Sequence, residues 1–323
     1  MARVLILCDE HQDYLADYLY DGFCSLFGAA YVVDWPPKPS LHDGDRLRFD
    51  CDLNWPSAGY TESRVLMGLR DRGFDLIVVP TLRGRVPALL QEWQVFLEKV
   101  ADRVVAVDGE DHCLNTRPLY EQALGFPPAV YAKRELPCGE TWGVPLPFGY
   151  PERRLVKPSR ARMHRAFYAV EIWPWARGAL RERLGQRLQE VGRHVVRMTY
   201  NGAERISPRR YHEMAACSSI GIAPAGQGYF TNRLFELVAA GCALLAEQPS
   251  MTFPDAFVPP IECVYFRDEF EAESLCEAYM GDRRLTQRTA EAGQAALVDR
   301  HLTRHRALTL MRSVHGSGVG VPS

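Results

Sequence analysis

The sequence predicts an α/β protein made of two doubly wound, Rossmann-like domains facing a cleft. Three observations carry this expectation. The chain has 323 residues, too many for one small core and the right number for two ordinary domains. Short apolar runs alternate with segments of helical spacing, as expected of a parallel sheet covered on both faces. A Pro-rich, basic stretch interrupts this alternation once, near the middle.

In order, Val4 to Cys8 reads as a strand, His11 to Phe27 as a helix with Leu15, Leu19, Phe23 and Leu26 on one face, and Ala30 to Val33 as a strand. Trp35 to Gly59 is rich in Pro, Asp and Gly and reads as a long loop. Helix from Glu62 to Arg72, strand from Phe74 to Pro80, helix from Val86 to Val100 and strand from Val104 to Val107 follow. A short helix from Asn115 to Leu124 and a strand from Ala129 to Ala132 close the first series. The second series runs as strand 166–172, helix 176–191, strand 195–199, helix 209–217, strand 219–223, helix 232–240 and strands 242–246 and 263–266. Helices 270–280 and 284–301 and one starting near Thr303 complete it. The expected domains are 1–150, a linker at 151–165, 166–315, and a flexible tail at 316–323.

Composition removes several function classes. Apolar content of 47% and charged content of 24% are ordinary globular values. A net charge of −2 lacks the basic excess that would make nucleic acid the default partner, so none is expected. No run approaches the roughly 20 apolar residues of a membrane helix. The short first run meets charge at Asp9 and Glu10 and reads as a strand rather than a signal peptide, which points to the cytoplasm. Nine cysteines without a CxxC pair argue against a disulfide framework and a structural zinc site.

The richest stretch for chemistry is Ser219 to Gln248. A strand there ends in a glycine loop, Gly226-Gln227-Gly228, which feeds a helix with Thr231 or Asn232 as N-cap. A helix start behind such a loop offers free N–H groups and a positive dipole end to a diphosphate. Arg233 in the first turn adds charge, and Glu236 lies on the same face, where a carboxylate can accept both hydroxyls of a ribose. The same spacing also fits a plain surface ion pair.

The segment TNRLFELVAAGCALLAE, with Phe253-Pro254 and the closing RTAEAGQAALVDRHLTRHRALTLM, resembles the donor domain of GT-B glycosyltransferases. It is most similar to the bacterial CgeB-like group, whose signature matches Arg233, Phe235, Glu236, Ala239 and Gly241, and whose last helices match Ala292-Gly293, His301 and Arg306. The resemblance covers about residues 205 to 312. It implies a sugar transferase using a nucleotide sugar such as a UDP-sugar, with Glu236 on the ribose, no obligatory metal and no cofactor. It also implies that the helix after Thr303 crosses back onto the first domain. Retaining relatives carry a further glutamate where this chain has Gly228. Donor contacts are then expected from Gly226, Gly228, Asn232, Arg233 and Glu236, with Lys133 and Arg134 of the first domain reaching the phosphates. An epimerase of the same fold and an inert sugar- or nucleotide-binding module are the alternatives.

Transfer to an acceptor hydroxyl needs a base. The densest titratable cluster at a strand end of the first domain is Asp108 to His112, so His112 is the first candidate, with Asp108 and Asp9 behind it. Asp108, Glu110 and Asp111 are expected to orient the imidazole; an acidic turn, or a capping role for His112 at the helix near Asn115, is the plain alternative. Asp50-Cys51-Asp52 has the DxD form of metal-binding transferases but stands in an irregular loop. The basic run Arg153 to Arg165 reads as a solvated hinge, or as a contact for anionic lipid.

Overall fold

The computed structural model describes residues 2–42, 53–155, 162–172, 178–191, 194–200 and 206–316. It divides into two compact units, Met1–Pro151 with Leu302–Ser323, and Glu152–His301. In chain order the first unit carries β1 (Val4–Leu7), α1 (Tyr14–Phe27), β2 (Val32–Trp35), α2 (Pro39–His42), α3 (Glu62–Arg70), β3 (Leu76–Val79), α4 (Val86–Glu98), β4 (Val104–Asp108), α5 (Arg117–Leu124), β5 (Val130–Lys133) and a two-residue β6 (Val144–Pro145). These strands form one parallel sheet in the order β2-β1-β3-β4-β5-β6. Its middle strands are buried along their whole length, which is why β1, β3 and β4 read as unbroken apolar runs.

The second unit carries β7 (Met163–Ile172), α6 (Gly178–Glu190), β8 (Val195–Tyr200), α7 (Pro208–Ala216), β9 (Ser218–Ala223), α8 (Asn232–Ala239), β10 (Ala243–Glu247), β11 (Val264–Phe266), α9 (Glu269–Gly281) and α10 (Arg283–Arg300). Its parallel sheet runs β11-β10-β9-β7-β8. Both sheets are doubly wound, so ligand sites belong at the carboxyl ends of their strands. Helix α8 sits close on β9 because Gly221 has no Cβ; one placed there would meet Leu237 Cβ at 2.9 Å.

Two boundaries differ from the sequence reading. Strand β7 starts at Met163, inside the stretch read as linker, and pairs there with β9 at Ser218. The last helix, α11 (Thr303–His315), falls inside the expected 166–315 domain by position but belongs to the first unit, packed on α1, as the family resemblance implies. Its start is fixed by Thr303, whose N–H donates to Tyr150 O at 3.1 Å and whose Oγ1 donates to Asp21 at 2.6 Å. Arg306 Nε donates to Phe148 O at 3.1 Å. The Asp50-Cys51-Asp52 loop, Lys157, Arg160 and the tail from 317 lie outside the described residues. Arg162, from the basic run, donates both terminal nitrogens to the carbonyls of Ala240 and Gly241 at the end of α8.

Candidate functional site

In the second unit the loop after β9 turns tightly, with Gly226 N donating to Gly228 O at 2.7 Å. It is clamped from both sides. Glu247, at the end of β10, accepts from Ala225 N at 2.9 Å. Arg181 of α6 is buried and donates Nε to Ala225 O at 2.8 Å and Nη1 to Glu171 O at 2.7 Å. A Cβ on residue 226 would meet Arg181 Nη2 and Thr231 Cγ2, each at 3.0 Å, which explains the glycine. Thr231, in extended backbone, is the N-cap of α8, and its side chain makes no capping hydrogen bond. Asn232 is therefore the first helical residue rather than the cap, and its Oδ1 is buried without a hydrogen bond.

Arg233 follows in the first turn. Its Nε and Nη1 are buried and make no hydrogen bond among the described residues. Burial, together with the charge of Arg233, pushes the Arg181 guanidinium down to about 10, so two cations share this corner. Burial raises the Tyr211 phenol well above its usual range; Glu236 adds to this and Arg233 opposes it. Arg233, Glu236 and Tyr211 thus form one cluster at the start of α8. Buried guanidinium nitrogens left without acceptors are costly, and an anionic ligand at Nε and Nη1 relieves that cost. Sequence reasoning missed Arg181, Glu247 and Tyr211, since nothing in their local spacing marks them.

In the first unit the structure separates the predicted residues. Asp108 is buried at the end of β4 and accepts from Lys133 Nζ and Tyr131 Oη, each at 2.8 Å, from Glu110 N at 2.9 Å, and from Thr116 Oγ1. Burial works to raise its carboxyl, and Lys133 with these hydrogen bonds holds it below the usual range. This corrects the reading of Asp108 as a base and of Lys133 as a phosphate contact. Lys133 lies opposite Asp108 in the β4–β5 register, is fully buried and is spent on that pair. Arg134 is buried too, ion-paired with Glu135 and Asp111 and stacked over Phe148 at 4.6 Å.

His112 Nδ1 accepts from Leu114 N at 3.3 Å. The carboxylates expected to orient it are engaged elsewhere: Asp108 with Lys133, Glu110 with Arg83, and Asp111 with Arg134. Nor does it cap α5, whose N-cap is Thr116. Asp9, by contrast, is joined to His11, its neighbour at the end of β1, which the sequence did not single out as a base. It accepts from the N–H of His11 at 2.8 Å, from His11 Nδ1 and from the N–H of Arg85. Burial works to raise the Asp9 carboxyl, and these hydrogen bonds hold it low. The pair stands at the carboxyl end of β1, beside a small hollow lined by Cys8, Asp13, Lys38 and Thr81.

Residues 158–312 match the family model described as glycosyl transferase-like, a span that contains the whole α8 cluster. Solved structures, glycosyltransferases among them, share the architecture of the chain's two units. HepE of Anabaena, solved with UDP, gives a TM-score of 0.61 at 12% identity over 98% of this chain and 100% of that one. A glycosyltransferase from Rickettsia africae ESF-5 gives 0.57 at 9% identity over 98% and 99%. An alpha-glucosyltransferase solved with UDP and a 13-mer DNA gives 0.60 at 10% identity over 97% and 99%. At these identities the likeness establishes the GT-B fold. No curated protein matches the sequence. The DNA-bound neighbour corrects one expectation: a near-neutral charge does not exclude nucleic acid as a partner of this fold. Among the described residues no helix is long and apolar enough to cross a membrane.

Proposed function

We propose that the chain moves a sugar from a nucleoside-diphosphate sugar to an acceptor hydroxyl, with the second unit holding the donor. The observation that carries this reading is Arg233, whose Nε and Nη1 are buried without an acceptor among the described residues at the start of α8, with Glu236 in the same cluster. A diphosphate supplies those acceptors, and the helix dipole favours its charge. Glu236 accepts from the ribose hydroxyls, as in the CgeB-like group to which the Arg233, Phe235, Glu236, Ala239 and Gly241 pattern assigns the chain. The charge on the departing diphosphate is met by Arg233 and the α8 start, so transfer proceeds without a metal or cofactor. The described cysteines are free thiols, which supports a reducing, cytoplasmic setting.

Since UDP is the nucleotide in the structural neighbours, it is the first ligand to test. Hydrogen bonds to a charged group contribute about 1.5–3 kcal/mol. At about 1.4 kcal/mol per decade, Glu236→Ala should weaken UDP binding roughly 10- to 150-fold in calorimetry. Affinity within twofold of wild type, with the fold intact, would remove Glu236 from the site. Activity abolished by EDTA and restored by Mg²⁺ would refute metal-free transfer. Slow hydrolysis of UDP-glucose separates an enzyme from an inert binding module.

A further inference from the structure

A cavity of about 320 Å³ opens in the second unit, at the amino edge of its sheet. Its walls are the starts of β7 and β9, the residue after α8 and the first turns of α10. Arg283, Gln287, Glu291 and Gln294 recur at helical spacing and form one stripe of α10 along it. The stripe has a cation at its head and oxygen acceptors beyond. Arg283 makes no ion pair or side-chain hydrogen bond among the described residues, and it stands in the first turn of a helix, where the dipole disfavours positive charge. Gln287 Nε2 donates to Glu291 Oε1 at 2.8 Å, and Gln294 Nε2 donates to Ala239 O at 3.1 Å. These bonds fix both amides and leave Gln287 Oε1, Glu291 Oε2 and Gln294 Oε1 without a donor among the described residues. At the strand starts, Arg162 donates both terminal nitrogens to the carbonyls of Ala240 and Gly241, while its Nε is buried without an acceptor. His164 donates Nε2 to Met280 O at 2.9 Å and meets Ser219 Oγ through Nδ1 at 3.2 Å. A solvated helix face explains polar residues on α10, but not their convergence on a cavity whose second arginine has a buried nitrogen left over.

We propose that this cavity binds a phosphorylated sugar, with the phosphate at Arg283 and the hydroxyls on Gln287, Glu291 and Gln294. The volume stands at the small end of ligand pockets, which run to about 300–1,000 Å³, and suits one hexose ring with its phosphate. Phosphate oxygens give a guanidinium the acceptors it lacks and are favoured at a helix start. Sugar hydroxyls both donate and accept, so they supply hydrogens to the three acceptor oxygens of the stripe. Glu291 lies two turns along α10 from Arg283, which keeps its carboxylate apart from the phosphate. No Phe, Tyr or Trp lines the cavity among the described residues, so a nucleobase finds no ring to stack on. The site is also separate from the donor cluster. Helix α8, with eight residues and a length of about 12 Å, carries Arg233 and Glu236 toward its start and ends at this cavity.

Calorimetry on the full chain tests this with glucose 6-phosphate, mannose 6-phosphate, glucose and inorganic phosphate, each with and without UDP. At least one hexose phosphate should bind more tightly than glucose or phosphate alone, and UDP should not displace it. Arg283 is exposed, so Arg283→Ala should keep the melting temperature of wild type. It should weaken hexose phosphate binding roughly 10- to 150-fold. Gln287→Ala should weaken the same binding while leaving the affinity for inorganic phosphate unchanged. Failure of both hexose phosphates to bind in the millimolar range overturns the proposal, as does their displacement by UDP. Inorganic phosphate binding as tightly as the hexose phosphates overturns the sugar assignment and leaves a plain anion site. Hexose phosphate affinity within twofold of wild type in both variants overturns the placement of the ligand in this cavity.

Discussion

Two buried Asp–Lys pairs in the first unit show how local hydrogen bonding decides what a carboxylate does. Asp17 pairs with Lys38, and burial pushes its carboxyl up to about 6 against the pull of that lysine. Asp108 pairs with Lys133, and further donors from Tyr131, Thr116 and Glu110 N carry it below the usual range. The two shifts act on stability with opposite signs. Native Asp17 binds its proton more tightly than the unfolded chain does, so its contribution grows as pH falls from about 6 toward about 4. Asp108 contributes above its unfolded pKa, and that part is lost as pH falls through its lowered native value. Urea unfolding across this range should show Asp17→Asn removing the gain between pH 6 and 4, while wild type and Asp108→Asn differ most above pH 4. At pH 7, Asp108→Asn leaves Lys133 charged and fully buried, at a cost of about 3–5 kcal/mol. A loss below about 1 kcal/mol there would mean that the pair is not buried as described. The sequence exposed these residues as a titratable cluster at a strand end. Only the cross-strand register revealed that the cluster is internally neutralised, because Lys133 and Asp108 stand 25 positions apart in the chain.

At the scale of elements, the packing of α11 on α1 turns on a glycine. A Cβ on Gly22 would lie 2.3 Å from the carbonyl oxygen of Thr303, and one on Gly149 would lie 2.8 Å from its backbone nitrogen. In a free helix Gly→Ala stabilises by about 1 kcal/mol. At Gly22 the obstacle is backbone rather than the tip of a flexible side chain, so overpacking at about 1–3 kcal/mol should exceed the propensity gain. Gly22→Ala should therefore lower the urea midpoint, and a raised midpoint would mean that α11 does not pack there. The sequence placed the end of α1 at Phe27 and the start of α11 near Thr303, yet periodicity could not assign α11 to a unit. Both of its flanks carry apolar residues at helical spacing, and the partner is selected by Thr303, Asp21 and the bare surface of Gly22.

At the scale of the whole molecule, the proposed donor site draws only on residues of the second unit, so its ligand should leave a localised signature. UDP at 100 times its dissociation constant stabilises the state that binds it by about 2.7 kcal/mol. Amides of the loop after β9 and of α8 should exchange up to roughly 100-fold more slowly with UDP present, if they open only with loss of the ligand. Hydrogen-exchange mass spectrometry that finds the slowing in the first sheet, or finds none, would contradict the placement of the donor.

The sequence by itself determined the two βα series, nearly every strand and helix, and the glycine loop with Arg233 and Glu236. These are local properties: an apolar run or a 3.6-residue stripe commits its segment whatever it packs against. Tertiary structure alone decided which charges remain available. Asp108, Lys133 and Arg134 look reactive in the sequence but are consumed by partners brought up across strands. Arg181 and Glu247 gain their role only where β7, β9 and β10 end side by side around Ala225. Asp9, His11, Arg85 and Lys38 likewise meet only at the carboxyl edge of the folded sheet. Charge neutralisation depends on distance in space, and distance in space is what a linear reading does not contain.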